Sequence, residues 1–355
     1  NFVHKAATGK PEEINTCVAC NEACLDYIFT ERVASCMVNP RACHETEISI
    51  TPAQEIKKIA VVGAGPAGLS YAITAAERGH KVTLFEAGPE IGGQLNLAVK
   101  IPGKEEFSET LRYYHNMLEK HGVDVRLNRR VEAEELLSGN YIEVVLSTGI
   151  KPRVPDIKGI DHPMVLSYAD VIEGKKEAGS RIAILGAGGI GFDVAEYLTT
   201  PEGPLESQDI EAFFGSWGID KAVAHGGGLA EPTSKKATRE IYLLQRKTTP
   251  HGRGLGRSTG WIHRTTLKKR GIHEIGGVTY RKIDAKGLHI TVDGKDRLLE
   301  VDNVVLCAGQ EPNRDLYDAL KQAGLSAILL GGAEKAMELD AANAIAGGTR
   351  RAATV

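Results

Sequence analysis

The chain has 355 residues, which at about 150 residues per domain allows two domains and room for a third without disulfide staples. Apolar residues make up 42% and charged residues 25%, an ordinary globular balance that excludes intrinsic disorder. A formal net charge of −3 gives no electrostatic reason to bind nucleic acid or an acidic membrane surface.

The start, NFVHKAATGKPEE, is polar and lacks the apolar core of a signal peptide. It begins at Asn1 rather than Met, which raises the expectation of processing or of the carboxyl part of something longer. Five of the six cysteines lie between positions 17 and 43, and Cys307 stands apart. Such clustering suits a metal or cluster site in a reducing compartment, so a cytoplasmic protein is expected. Cys17, Cys20, Cys24 and Cys36 are separated by two, three and eleven residues. A cubane cluster wants four thiolates around one compact core, whereas structural zinc sites more often use two separated pairs. These four are the expected ligands of a 4Fe–4S cluster, with zinc or free thiols as alternatives. Cys43 is expected to be a packed small residue, and Cys307 to be inert core.

Glycine is over-represented, at 40 residues against a usual share of about 7%. KKIAVVGAGPAGLSYAITAAERGHKVTLFEA reads as strand, loop, helix and strand, a βαβ unit. The glycines and proline within Ile59–Ala76 exclude a membrane span from that uncharged run. Gly63 permits a tight turn, Gly65 lets backbone approach a pyrophosphate, and Gly68 allows close helix–strand packing. The helix N-terminus offers unpaired N–H groups to phosphates, and Glu86 ends the next strand where a ribose hydroxyl is held. SRIAILGAGGIGFDVAEYL repeats the pattern with Gly186, Gly188 and Gly191. The following strand, IYLLQ, comes late because of an insertion at about 201–240, which contains the helical pattern DIEAFFGSWGI. It ends in Gln245-Arg246-Lys247 instead of an acid, and Arg246 and Lys247 pair with a 2′-phosphate, favouring NADPH over NADH.

The fold class expected is therefore α/β, with two nested Rossmann-like dinucleotide domains after a cysteine segment, FAD in the first and NADPH in the second. Residues 1–51 form the iron–sulfur segment, 52–155 the first part of the FAD domain, 156–296 the NADPH domain, and 297–355 the rest of the FAD domain. The tail reads as a buried strand in VDNVVLCAG, then AILLGGAE, then a helix from about Lys335 to Ala346. Thioredoxin-reductase chemistry is not expected, because no CxxC pair occurs beyond Cys24.

CVACNEACLDYIF, ASCMVNPRACHE, EIGGQLNLAVKIPGKEEF, GLGRSTGWIHRTTL and CAGQEPN, with the two glycine loops, carry a resemblance over essentially the whole chain. It resembles the iron–sulfur flavoproteins of the bacterial NADPH-dependent 2,4-dienoyl-CoA reductase family. The resemblance implies the electron-input half of such an enzyme, acting in fatty acid β-oxidation and passing electrons from NADPH through FAD and a 4Fe–4S cluster to FMN. It implies a barrel of about 250 residues ahead of Asn1. FMN, the substrate pocket and the proton donor are expected there, upstream or on a partner, and no catalytic residue is expected in this sequence. It further implies that Glu86 binds the FAD ribose, that the loop around Ala67 binds pyrophosphate, and that Gln94, Lys104 and the Val131 backbone line the flavin. Glu334 stands where similar flavoproteins carry Asp toward the ribityl chain, and the following helix N-terminus faces the flavin. Trp261 and His263 are given no role. A related enone or amine oxidoreductase and a stand-alone NADPH-dependent electron-transfer module are the other readings. A zinc-stabilised nucleotide-binding protein is the non-enzymatic one.

Overall fold

Two runs of branched aliphatic residues, KIAVV and RIAIL, seed the two parallel sheets of the fold. The computed structural model describes residues 2–201, 205–233, 237–336 and 340–355. The chain divides into two units, one of Asn1–Ala98, Glu106–Lys151 and Gln310–Val355, the other of Val99–Glu105 and Pro152–Gly309. Along the chain, β1 (Lys58–Val62), α1 (Pro66–Glu77), β2 (Lys81–Phe85), α2 (Phe107–Lys120), β3 (Asp124–Arg126) and β4 (Glu143–Leu146) belong to the first unit. The second holds β5 (Val165–Ser167), β6 (Arg181–Leu185), α3 (Gly189–Thr199), α4 (Ile210–Trp217) and β7 (Glu240–Leu244). It continues with α5 (Gly260–Lys269), β8 (His273–Ile275), β9 (Thr279–Asp284), β10 (Gly287–Val292), β11 (Lys295–Leu299) and β12 (Asn303–Leu306). β13 (Ile328–Leu329) and α6 (Ala341–Ala353) return to the first unit.

The first sheet has the order β13-β4-β1-β2-β3, all parallel. Both its faces are covered, so β1 is buried from its second residue onward. The period of two then sorts its side chains. Ile59 and Val61 join the core with Leu69, Tyr71 and Leu84, while Ala60 and Val62 join the opposite one with Phe85, Val144 and Leu146. Each fully buried large side chain stabilises by about 1.5–3 kcal/mol relative to exposure. α1 lies under α6, and a Cβ on Gly348 of α6 would overlap the Ala67 carbonyl oxygen and lie 3.0 Å from Tyr71 N. Small residues therefore set the approach of these two helices.

The second sheet, β5-β12-β6-β7-β8, is again parallel. Beside it β9, β10 and β11 form an antiparallel meander. Asp293 and Gly294, at φ 50° and 74°, make the tight turn between β10 and β11 that a right-twisted hairpin favours.

One sequence expectation moves. The last helix begins at Ala341, not near Lys335, because the Asp340 carboxylate caps it by accepting the N–H of Asn343 at 2.6 Å. Residues 337–339 of the expected helix lie outside the described residues, as do 202–204 and 234–236 of the expected insertion. Within the insertion α4 is capped by Asp209 and ends at Gly218 in the left-handed region, at φ 68°. No helix among the described residues is long and apolar enough to cross a membrane.

Candidate functional site: two phosphate loops

β1 ends where the sheet changes direction, with β2 on one side and β4 on the other. Gly63 N–H donates to Phe85 O and Ser147 N–H to Val62 O, both at 2.8 Å. Such a switch point opens a crevice at the carboxyl ends of the strands. Gly63 has φ 102°, and a Cβ on it would overlap the Ser147 carbonyl oxygen. A Cβ on Gly68 would overlap Gly63 O and Ser147 Oγ. Gly65 has nothing within 4 Å of its Cβ position, so its outer side is open to a ligand. Ala67 follows on α1 and meets the backbone of Gly331, whose Cβ would lie 2.9 Å from the Ala67 Cβ. Glu86 accepts the N–H of Ala64 at Oε2 and that of Gly88 at Oε1, each at 2.8 Å. A carboxylate offers about four lone-pair sites. Glu86 thus braces the loop and keeps acceptor capacity for a ribose hydroxyl.

The second loop repeats this arrangement. Gly186 N–H donates to Leu244 O and Cys307 N–H to Leu185 O, both at 2.9 Å. Gly186 has φ 117°, a Cβ there would overlap the Cys307 carbonyl oxygen, and one on Gly191 would overlap Gly186 O. Gly188, like Gly65, is open. The difference lies at the Glu86 position, where Gln245 instead donates its amide to Thr249 O. Gly252 N–H bonds Ala187 O at 3.3 Å, seating the loop after β7 on the phosphate loop. Arg246 and Lys247 follow β7, both exposed.

A family model described as pyridine nucleotide-disulphide oxidoreductase matches residues 57–333. The chain belongs to this family. Membership implies the use of FAD and NAD(P)H and makes the chain part of an oxidoreductase. A metal reductase of Desulforamulus reducens is 32% identical over 330 residues, 90% of this chain and 47% of that protein. An NADH oxidase of Thermoanaerobacter brockii is 30% identical over 338 residues, covering 93% and 46%. A 2-naphthoyl-CoA reductase in complex with 2-naphthoyl-CoA superimposes with a TM-score of 0.84 at 29% identity, over 99% of this chain and 48% of that one. The chain spans about half the length of these relatives.

Lys104 Nζ is 2.6 and 2.7 Å from the two carboxylate oxygens of Asp193 on α3. Sequence reasoning missed Asp193. Its signal was present, as a carboxylate in the second turn of the helix that the loop opens. Gln94 begins the short helix Gln94–Ala98 and is exposed. Val131 is buried in the core with Phe85 and Leu146. Glu334 is exposed, and its carbonyl and that of Ala333 accept the Arg314 guanidinium.

All six cysteines are free. Ala19 and Asn21, at φ 53° and 57°, bend the chain around Cys20. Cys20 and Cys36 pack with Val18, Ala23, Met37, Val38 and the Ala342 and Ile345 side chains of α6. Burial pushes the Cys20 thiol up to about 11, and the nearby Cys36 and Cys24 add to the effect. Cys17 and Cys24 are exposed, and Cys17 Sγ accepts the N–H of Ala19 at 3.4 Å. Among the described residues no three histidine, cysteine or acidic side chains converge on one metal ion. Cys43 is a correction. It is exposed rather than packed, because it sits at φ 62° in a turn whose N–H is accepted by Glu45. Cys307 directly follows β12, and burial pushes its thiol up, away from the reactive thiolate.

Proposed function

We propose that the chain is the electron-input half of a flavoenzyme of the 2,4-dienoyl-CoA reductase type, drawing on NADPH and serving a flavin-bearing barrel that lies upstream on the same polypeptide or on a partner. The observation that carries this reading is the duplicated phosphate loop with opposite endings, an acid after β2 and two cations after β7. In the first, the Gly65 side receives the FAD pyrophosphate and Glu86 a ribose hydroxyl. In the second, the Gly188 side receives the NADPH pyrophosphate, and Arg246 and Lys247 meet the 2′-phosphate that a carboxylate would repel. When bound, FAD accepts electrons in pairs and an iron–sulfur cluster passes them singly.

Cys17, Cys20, Cys24 and Cys36 are the residues we assign to the cluster. Four soft thiols on one bent segment suit iron and sulfide, and Cys20 and Cys36 pack against the same small cluster. Leu25, Ile28, Phe29 and Val33 are exposed beside them, an apolar surface of the kind a partner covers. The acyl-CoA substrate is supported by the likeness to the 2-naphthoyl-CoA reductase.

The test is flavin, iron and acid-labile sulfide content of anaerobically purified chain, followed by NADPH addition while the visible spectrum is watched. About one FAD with four iron and four sulfide is expected. NADPH should bleach the flavin faster than NADH, with dye reduction but no dienoyl-CoA turnover in the absence of the barrel. Zinc in place of iron, or a flavin that NADPH leaves oxidised, overturns the reading.

A further inference from the structure

The middle of α3 carries a cluster of charges that phosphate binding does not explain. Asp193 and Glu196 are three residues apart, neighbours on one helix face. Asp193 holds Lys104, as described, and Glu196 Oε1 lies 2.7 Å from His263 Nδ1 on α5. Glu196 is only 7% exposed on its side chain, and a buried carboxylate is costly without such a partner. Arg270, from the end of α5, binds the carbonyl of Glu196 at 2.9 Å and the Thr199 and Thr200 hydroxyls at 3.2 and 3.0 Å. Its charge also acts on Glu196 and on Glu206.

The partner fixes the histidine tautomer. Because the Glu196 carboxylate accepts from Nδ1, that nitrogen carries a proton in either charge state, and the titrating atom is Nε2. Protonation there adds one positive charge to the group formed by Lys104, Asp193, Glu196 and Arg270. α3 begins at Gly189, the residue after Gly188 of the second loop. Seven residues of helix put Glu196 about 10 Å along the axis from that start.

We propose that His263, oriented by Glu196, is a positioning residue that tunes the second phosphate loop, its charge strengthening dinucleotide binding and its neutralisation weakening it. This rests on the reading that the Gly186–Gly191 loop takes a dinucleotide. One added charge on the ring that Glu196 holds, part-screened by solvent, changes affinity for a diphosphate about two- to tenfold. The hydrogen bond to Glu196 raises the pKa of His263 above the ordinary histidine value, against the opposing effects of burial and Lys104 and with help from Asp193. The transition therefore lies above that of an ordinary histidine.

Calorimetric binding of NAD⁺ and NADP⁺ to the whole chain, between about pH 6 and 9 in buffers of different ionisation enthalpy, tests it. NAD⁺ isolates the protein's contribution, since the 2′-phosphate of NADP⁺ itself titrates near pH 6. The expected result is NAD⁺ binding that weakens about two- to tenfold toward high pH, with fractional proton uptake on binding. His263→Gln should abolish both the slope and the uptake. Glu196→Gln should keep them but move the transition to lower pH, a readout that a purely structural role does not produce. A pH-independent wild-type affinity for NAD⁺, a full slope in His263→Gln, or an unmoved transition in Glu196→Gln overturns the inference. Failure to bind either dinucleotide at any pH overturns the underlying reading instead.

Discussion

At the first loop, Gly65 and Gly68 differ in what a methyl group would meet. On Gly68 it would strike the Gly63 carbonyl and Ser147 Oγ, part of the scaffold itself. On Gly65 it would strike nothing, because that side is open. Gly68→Ala should therefore lower the denaturant midpoint, by about 1–3 kcal/mol in stability, and also lose flavin. Gly65→Ala should unfold like the wild type yet retain little FAD on gel filtration. If Gly65→Ala keeps its full flavin content, the loop is not the pyrophosphate site. A second contrast lies after β7. Replacing Arg246 and Lys247 together by Ala should weaken NADP⁺ binding about tenfold or more through lost charge-assisted bonds, with little change for NAD⁺. Equal losses for both dinucleotides in a titration would place the two cations elsewhere than on the 2′-phosphate.

Among elements, contact depends on matched ends as much as on matched faces. His80, between α1 and β2, accepts the Lys57 N–H at Nδ1, 3.1 Å away, and its Nε2 lies 3.2 Å from Val355 O just past α6. Nδ1 must stay unprotonated for the first bond, and burial holds the His80 pKa below its ordinary value. The unfolded chain then binds more protons than the folded one between the two pKa values. Its contribution is complete above the unfolded histidine value and is lost as pH falls through the folded one. Urea midpoints of the wild type should accordingly drop on acidification below about pH 6.5 by more than those of His80→Gln. Parallel pH curves would exclude this residue as the cause. The elements that sequence reading places well are those whose signal is local. KIAVV and RIAIL, each followed by a glycine loop, become β1 and β6, and DIEAFFGSWGI becomes α4. The meander β9–β11 went unread although its Asp293-Gly294 turn is a strong local hairpin signal. The start of α6 was misplaced because the apolar pattern gave no boundary, while the Asp340 cap did.

For the whole molecule, legibility followed chemistry that leaves a spacing in the chain. The phosphate loops are contiguous motifs, so their glycines could be named in advance. The Glu196–His263 pair joins residues 67 positions apart, and Lys104–Asp193 joins residues 89 apart, which no local pattern reveals. Cys43 was misjudged because its exposure comes from a left-handed turn, not from its neighbours' hydropathy. Each unit nevertheless has its own sheet and its own core, the first around Ile59, Leu69 and Tyr71, the second around Ala183, Leu185, Leu244 and Leu288. A chain with two such cores need not unfold in one step. Ligands that bind one folded unit stabilise that unit by mass action, by about 2.7 kcal/mol at a hundred times Kd. Scanning calorimetry should then show two transitions, one raised by FAD and the other by NADP⁺. In Gly68→Ala the FAD response should vanish while the NADP⁺ response survives, and Gly191→Ala should reverse the pattern, since its Cβ would overlap Gly186 O. A single transition that both ligands raise equally would mean that the two cores melt as one cooperative body, and the division of labour between the loops would then have to be measured by binding alone.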